Sequence, residues 1–240
     1  AWGTETIPKV YKIFGPGNQY VTAAKLRVSL DNVSIDMPAG PSELAIIADN
    51  SSNPAFIASD LLSQAEHGAD SQVLLVTRFP EVITKTQAEL EIQLADLPRK
   101  ELAKKALDNS RFILLKSDGE ILDLINEYAP EHLIIVTENY HELAQKVQNA
   151  GSVFLGSYTP ESAGDYASGT NHTLPTNGTA KAYSGVNIDS FMKKMTFQEI
   201  TKYGLFNIGP SVERMAAAEE LEAHKRAIRI RMNSANNYKS

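Results

Sequence analysis

From Ser42 onward, short apolar runs alternate with amphipathic helical segments, and this alternation is the strongest constraint on the fold. Glu43–Ala48 (ELAIIA), Gln72–Thr77 (QVLLVT), residues 111–115, residues 133–137 and Ser152–Leu155 read as strands. Residues 54–66, 80–94, 99–107, 120–128 and 141–149 carry helical spacing. Asn53-Pro54 opens the first of these and sets Phe56, Ile57, Leu61 and Leu62 on one apolar face. A run as continuously apolar as QVLLVT belongs to a strand covered on both faces. The pattern predicts an α/β fold: a Rossmann-like, doubly wound, mainly parallel sheet followed by a C-terminal helical arm.

The flanks differ from this middle. Residues 1–41 contain the turn Gly15-Pro16-Gly17 and a helical stretch over 21–28, and read as the tail of a structure whose beginning is absent. Residues 42–186 form the expected α/β domain. Residues 187–240 form the arm, with helices expected over 189–201 and 210–232 and a packing stripe of Met215, Ala218, Leu221 and Ala227. A charged arm with little core of its own is expected to pack on another domain or subunit. The first residue is not Met, so the chain reads as beginning inside a longer reading frame.

Bulk properties narrow the partners. The 29 acidic against 23 basic residues give a net charge of −6, which argues against nucleic acid or an anionic membrane as main partner. No cysteine is present, which removes disulfides and thiolate metal sites and fits a cytoplasmic setting. No stretch approaches the ~20 apolar residues of a membrane helix.

Of the five histidines, His141 sits on a polar helical face and reads as a surface residue. Gln64 and His67 stand at i, i+3 and share a face, although a helix C-terminus also favours histidine for its dipole. Glu131-His132, after Pro130, offers two proton acceptors with different pKa values; an exposed charged turn is the plain alternative. Asp165 and His172 lie in a segment dense in small residues, either a site or a polar loop. Glu219 and His224, read on one helix, would stand roughly 140° apart around its axis, the geometry of a solvated face unless a ligand lies at its flank. With no thiolates, a zinc ion would take nitrogen and oxygen ligands, so Gln, His and Asp form a reasonable set with room for substrate. No P-loop, H-E-x-x-H, G-x-S-x-G or complete G-x-G-x-x-G occurs. Spacing alone reaches a candidate metal site on an α/β fold.

Taken together, KIFGPGNQYVTAAK (12–25), IDMPAGPSE (35–43), SDLLSQAEHGADSQV (59–73), PEHLI (130–134), GSVFLGSYTPESAGDYASGTNHTLPT (151–176) and AAAEELEAHKRAI (216–228) resemble the histidinol dehydrogenase family. The resemblance implies Zn2+ held by Gln64, His67, Asp165 and His224. It implies contacts to L-histidinol from Ser42, His172 and Glu219, with the zinc ligands and His132 also at the substrate. Glu131 and His132 become proton acceptors, and Asn18 matches a position used toward NAD. The implied reaction is oxidation of L-histidinol through L-histidinal to L-histidine, the last steps of histidine biosynthesis. It further implies a homodimer in which the arm, with Glu219 and His224, completes the partner's site. Family members extend further on the N-terminal side, so this chain alone is expected to bind zinc weakly and turn over poorly. Two alternatives accompany that reading: a related zinc-dependent dehydrogenase of another polar alcohol, and a non-catalytic fragment. A zinc hydrolase is a more distant third.

Overall fold

The structure, a computed structural model, describes residues 1–38 and 40–236. The chain divides into two compact units, Ala1–Met192 and Lys193–Ser240. No described helix is long and apolar enough to cross a membrane.

The first unit opens with a small βαβ arrangement: β1 (Lys12–Ile13), α1 (Gln19–Ser29) and β2 (Ser34–Ile35), with the two short strands paired in parallel. The main part follows as β3 (Glu43–Ala48), α2 (Pro54–Ala65), β4 (Gln72–Thr77), α3 (Pro80–Asp96), α4 (Lys100–Asp108), β5 (Arg111–Leu114), α5 (Asp118–Tyr128), β6 (His132–Val136), α6 (Tyr140–Ala144), β7 (Ser152–Leu155) and α7 (Glu161–Tyr166). Strands β3 to β7 form one parallel sheet in the order β5-β4-β3-β6-β7. The apolar runs therefore act as expected: every residue of β3 and β6 is buried.

Strand alternation divides the core into two layers. Leu44, Ile46, Val73, Leu75, Ile134 and Val136 pack with Ile57, Leu61, Val82 and Leu90 of α2 and α3. Ala45, Ile47, Leu74, Val76, Leu133 and Ile135 pack with Ile121, Ile125 and Leu143 of α5 and α6. The period of two sends successive side chains to opposite faces, so one apolar run serves both layers. α6 ends at Ala144, short of the expected helix over 141–149. Asn126 explains the stop, because its Oδ1 accepts from the amides of Gln148 and Asn149 and holds them out of helical pairing.

The chain beyond residue 186 corrects the sequence reading most. Only a 3₁₀ turn, Ile188–Phe191, forms where a helix over 189–201 was expected. Met192, Met195, Phe197 and Ile200 are all more than half exposed, and a helix without a buried face has little to stabilise it. The single helix expected over 210–232 is instead two, α8 (Lys202–Ala218) and α9 (Glu222–Asn236), with Pro210 inside α8. The break lies at Glu220, whose φ is +60°. Leu221 N–H donates to Ala216 C=O (2.8 Å) and Glu220 N–H to Ala217 C=O (3.2 Å), a left-handed helix cap in which glycine is the usual residue. With glutamate there, the stop left no mark in the sequence. α8 and α9 pack at Gly209, where a Cβ would lie 2.5 Å from Met232 Sδ, and Arg229 bonds Glu213 at 3.0 Å. Gly209 and Ala216 are the buried positions, whereas Met215 and Leu221 of the expected stripe are exposed.

Candidate active site

In parallel α/β sheets ligands ordinarily bind beyond the carboxyl ends of the strands, where the strand order reverses. Here that crevice, between β3 and β6, is stitched shut. Ser52 Oγ donates to Val136 C=O, and Asp49 Oδ2 accepts from Glu138 N–H at 2.9 Å. The candidate residues gather at the opposite, amino end of the same strands, where Leu44 pairs with His132 and His132 with Ser152.

Glu131 and His132 are delivered by a strained connection. Buried Ala129 caps α5 in the left-handed region (φ 52°), which costs about 1–2 kcal/mol for a residue with a Cβ, and Pro130 then sets the chain toward β6. Gly151 lies against this turn: a Cβ there would sit 2.5 Å from Glu131 O, so only glycine lets β7 start beside it. His132 is the first residue of β6 and points to the same side as Ile134, toward α2.

α7 closes over His132. The segment rich in small residues is a helix at its start, and Gly164 explains the need for them: a Cβ would meet the Phe154 ring at 2.6 Å. Phe154 in turn packs 5.9 Å from the His132 ring. This close approach aims Glu161 and Asp165, one helical turn apart, at the imidazole. His132 Nδ1 lies 4.0 Å from Glu161 Oε1 and 3.7 Å from Glu131 Oε2, and Nε2 lies 3.8 Å from Asp165 Oδ1.

The tautomer of His132 follows from its partners. Nδ1 is 3.2 Å from the carbonyl of Glu43, which can only accept. With its amide turned so that the nitrogen faces Glu161, Gln64 donates to the Glu161 oxygens (2.8 and 3.2 Å) and also lies 3.3 Å from Nδ1. The Glu43 carbonyl, the shorter of the two contacts, favours the proton on Nδ1 and the lone pair on Nε2. Nε2 is buried and has no hydrogen-bond partner among the described residues. Burial pushes the imidazole down to about 4, against the opposing pull of Asp165 and the Glu43 carbonyl, so it is neutral at physiological pH.

Around it stand carboxylates that burial drives the other way. Desolvation raises Glu131 to about 8, with Glu43 and Asp165 adding repulsion against a backbone hydrogen bond from Glu43 N–H (2.9 Å). Desolvation raises Glu161 to about 9, helped by Asp165, Glu131 and Asp60. No lysine or arginine contributes to either shift. Such a cluster is short of positive charge. His67, Glu161 and Asp165 each present a ligand atom within 4.8 Å of the others, and Gln64 lies against Glu161. This nitrogen-and-oxygen donor set fits a divalent ion such as Zn2+, whose charge would favour the ionised carboxylates.

Beside the cluster is a cavity of about 230 Å³ lined by Pro16, Gly17, Ser42, His67, Glu131, His132, Asp165 and His172. Its Gly-Pro-Gly wall is clamped from below. Lys25 Nζ donates to Gly15 C=O (2.9 Å) and pairs with Asp36, whose Oδ2 accepts from Gly15 N–H (2.8 Å). Burial opposes ionisation of Asp36, but Lys25 and the Gly15 and Met37 amides outweigh it and hold the carboxyl below its ordinary value.

Seven of the expected residues thus meet in one place: Gln64, His67, Glu131, His132 and Asp165 at the cluster, with Ser42 and His172 on the cavity wall. His67 lies just beyond the end of α2 rather than within it. Asn18 is not a lining residue; its Oδ1 accepts from the Tyr20 and Val21 amides as the cap of α1. Glu219 and His224 belong to the second unit, where both are exposed. They stand on either side of the Glu220 break, Glu219 capping α8 and His224 in α9, so the angle expected from a single helix does not apply. Glu161 is the site residue that sequence reasoning passed over. Its signal was the i, i+4 spacing to Asp165 behind Pro160, hidden while the segment was read as a loop.

Known proteins resemble the chain over nearly its whole length. The family model described as Histidinol dehydrogenase matches residues 1–232. Histidinol dehydrogenase of Bacteroides thetaiotaomicron is 64% identical over 98% of this chain and 55% of its own length. That of Escherichia coli K12 is 53% identical over 98% of this chain and 54% of its own length. The crystal structure of histidinol dehydrogenase from Elizabethkingia anophelis superposes with a TM-score of 0.96 at 59% identity, covering 98% of this chain and 54% of that one. The chain spans about half the length of the curated relatives it matches. It belongs to the histidinol dehydrogenase family.

Proposed function

We propose that this chain supplies the metal-and-base half of a site that oxidises L-histidinol through L-histidinal to L-histidine. Gln64, His67 and Asp165 would hold Zn2+, with His224 from a partner's arm as the fourth ligand in a homodimer. When bound, zinc would anchor the amine and imidazole of the substrate, and NAD would accept hydride in each of two oxidations. Asn18 is the residue here assigned toward NAD, through the amide nitrogen that its cap does not use.

The observation that carries this reading is the buried, neutral, unpartnered Nε2 of His132 facing the cavity beside Glu131. In the first oxidation His132 Nε2 takes the hydroxyl proton as the carbinol C–H bond breaks. Between oxidations Glu131 takes a proton from water as its oxygen adds to the aldehyde carbon, and the carbonyl oxygen takes the proton held by His132, giving the hydrate. A carboxyl poised near neutrality suits that exchange. His132, returned to its neutral form, takes the next hydroxyl proton. Ser42, His172 and a partner's Glu219 orient the substrate, and confinement in a small cavity excludes water other than the one consumed.

Zinc retention tests the proposal. The purified chain, loaded with Zn2+, is challenged with a chelator in the presence of L-histidinol or of small diols. L-Histidinol is expected to slow zinc loss, and diols are not. Equal protection by diols would point to another polar alcohol as substrate, and no protection by either would sink the assignment.

A further inference from the structure

Between α7 and the 3₁₀ turn at Thr179–Lys181 the chain forms neither helix nor strand, yet it supplies His172, Thr173, Leu174 and Thr176 to the cavity wall. Thr173, Leu174 and Thr176 are buried, and a buried segment without regular pairing must find other partners for its backbone. Asn177 N–H finds one in Glu43, whose Oε1 accepts it at 3.0 Å. Asn177 sits there with φ +53°, and Gly40 leaves it room, because a Cβ on Gly40 would collide with the Asn177 side chain.

Glu43 opens β3 and is buried, and its Oε2 has no partner among the described residues. A carboxyl group in that setting is unfavourable, and an apolar side chain would serve the sheet better. The backbone of the same residue is engaged elsewhere: its N–H donates to Glu131 Oε2 and its C=O faces His132 Nδ1. One residue thus joins the two proposed proton acceptors to the wall that carries His172. We propose that Glu43 is a positioning residue whose side chain fixes the 172–177 wall relative to Glu131 and His132, and so holds His172 for the substrate. This rests on the reading of the cavity as the L-histidinol site. An acceptor oxygen stands at Oε1 in either ionisation state of the carboxyl, so the inference needs the reach of the side chain and not its charge.

The test uses the purified full chain in three forms: wild type, Glu43→Gln and Glu43→Asp. Glu43→Gln keeps the reach and an acceptor oxygen but drops the charge. Glu43→Asp keeps the charge but withdraws the acceptor by one methylene. Both leave the backbone contacts to Glu131 and His132 in place, so they isolate the side chain. Three readouts are taken: hydrogen exchange of the Asn177 amide by NMR, Zn2+ affinity by competition with a chelator, and the L-histidinol concentration needed to slow zinc loss.

Glu43→Asp should speed exchange of the Asn177 amide roughly 10–100-fold, the worth of one hydrogen bond to a charged group, and raise the L-histidinol concentration needed. Glu43→Gln should match the wild type in both readouts within about threefold. Zn2+ affinity without L-histidinol should be the same in all three forms, since Gln64, His67 and Asp165 lie outside the wall. A Glu43→Gln variant as impaired as Glu43→Asp would assign the effect to charge and overturn the proposal. So would Glu43→Asp with wild-type exchange, with faster exchange but an undiminished response to L-histidinol, or with Zn2+ affinity lost in step. If L-histidinol retains no zinc in the wild type, the functional reading fails and takes the positioning role with it. The exchange rates then still decide whether Glu43 holds the wall.

Discussion

At His132, burial and one backbone carbonyl act together. The carbonyl of Glu43 favours the proton on Nδ1 and burial keeps the ring neutral, which leaves a lone pair on Nε2 in the cavity with nothing to satisfy it. An unsatisfied buried nitrogen is unfavourable unless a substrate hydroxyl comes to it. His132→Asn, in an assembly that turns over, should therefore lower the rate of alcohol oxidation by roughly 10²–10⁴-fold, the usual worth of a general base, with zinc still bound. Glu131→Gln should chiefly slow conversion of L-histidinal to L-histidine, measured by supplying the aldehyde directly. If either change released zinc and left the rate per bound metal normal, the two roles would be wrongly assigned. Residue types made these two legible in the sequence. Glu161 was not, because its importance comes from what α7 brings it near.

Among the elements, α7 and the first βα turn position the site without contributing bases. α7 sits where it does because Gly164 lets backbone rest on Phe154. Gly164→Val should force the helix outward, at about 1–3 kcal/mol of overpacking, and weaken Zn2+ binding; thermal unfolding and chelator competition measure the two effects. Gly164→Val with native stability but wild-type affinity would mean that α7 does not hold the metal residues in place. The Gly15-Pro16-Gly17 turn depends on the buried Lys25–Asp36 pair. Lys25→Met leaves Asp36 charged and unpaired, and removal of one partner from a buried pair costs about 3–5 kcal/mol. Denaturant unfolding should show this loss, partly recovered in Lys25→Met/Asp36→Leu. α7 and the short strands β1 and β2 were hard to read from the chain, since six residues and two residues carry too little periodicity. The long runs of β3, β4 and β6 were easy for the converse reason.

For the whole molecule, the buried charges set a pH dependence. His132, with its folded pKa lowered from 6.5 to about 4, costs stability as pH falls through that range. Asp60, Glu131 and Glu161, raised to about 7, 8 and 9, bind more protons folded than unfolded. Their contribution is present at low pH and lost as pH rises through those values. The metal-free chain should thus lose thermal stability from pH 6.5 to above 9, and Zn2+ should flatten that decline by placing charge among the carboxylates. A metal-free Tm that rises over the same interval would contradict the burial of these groups. The sequence by itself determined the sheet, its two-sided core and the chemical character of Gln64, His67, Glu131, His132 and Asp165, because runs of apolar residues and ligand types are local properties. Only the tertiary structure decided that the usual crevice is blocked, that Glu161 belongs to the site and that the arm breaks at Glu220. Those outcomes depend on a closed crevice, on backbone packed against an aromatic ring and on a left-handed cap, each of which exists only once distant segments meet.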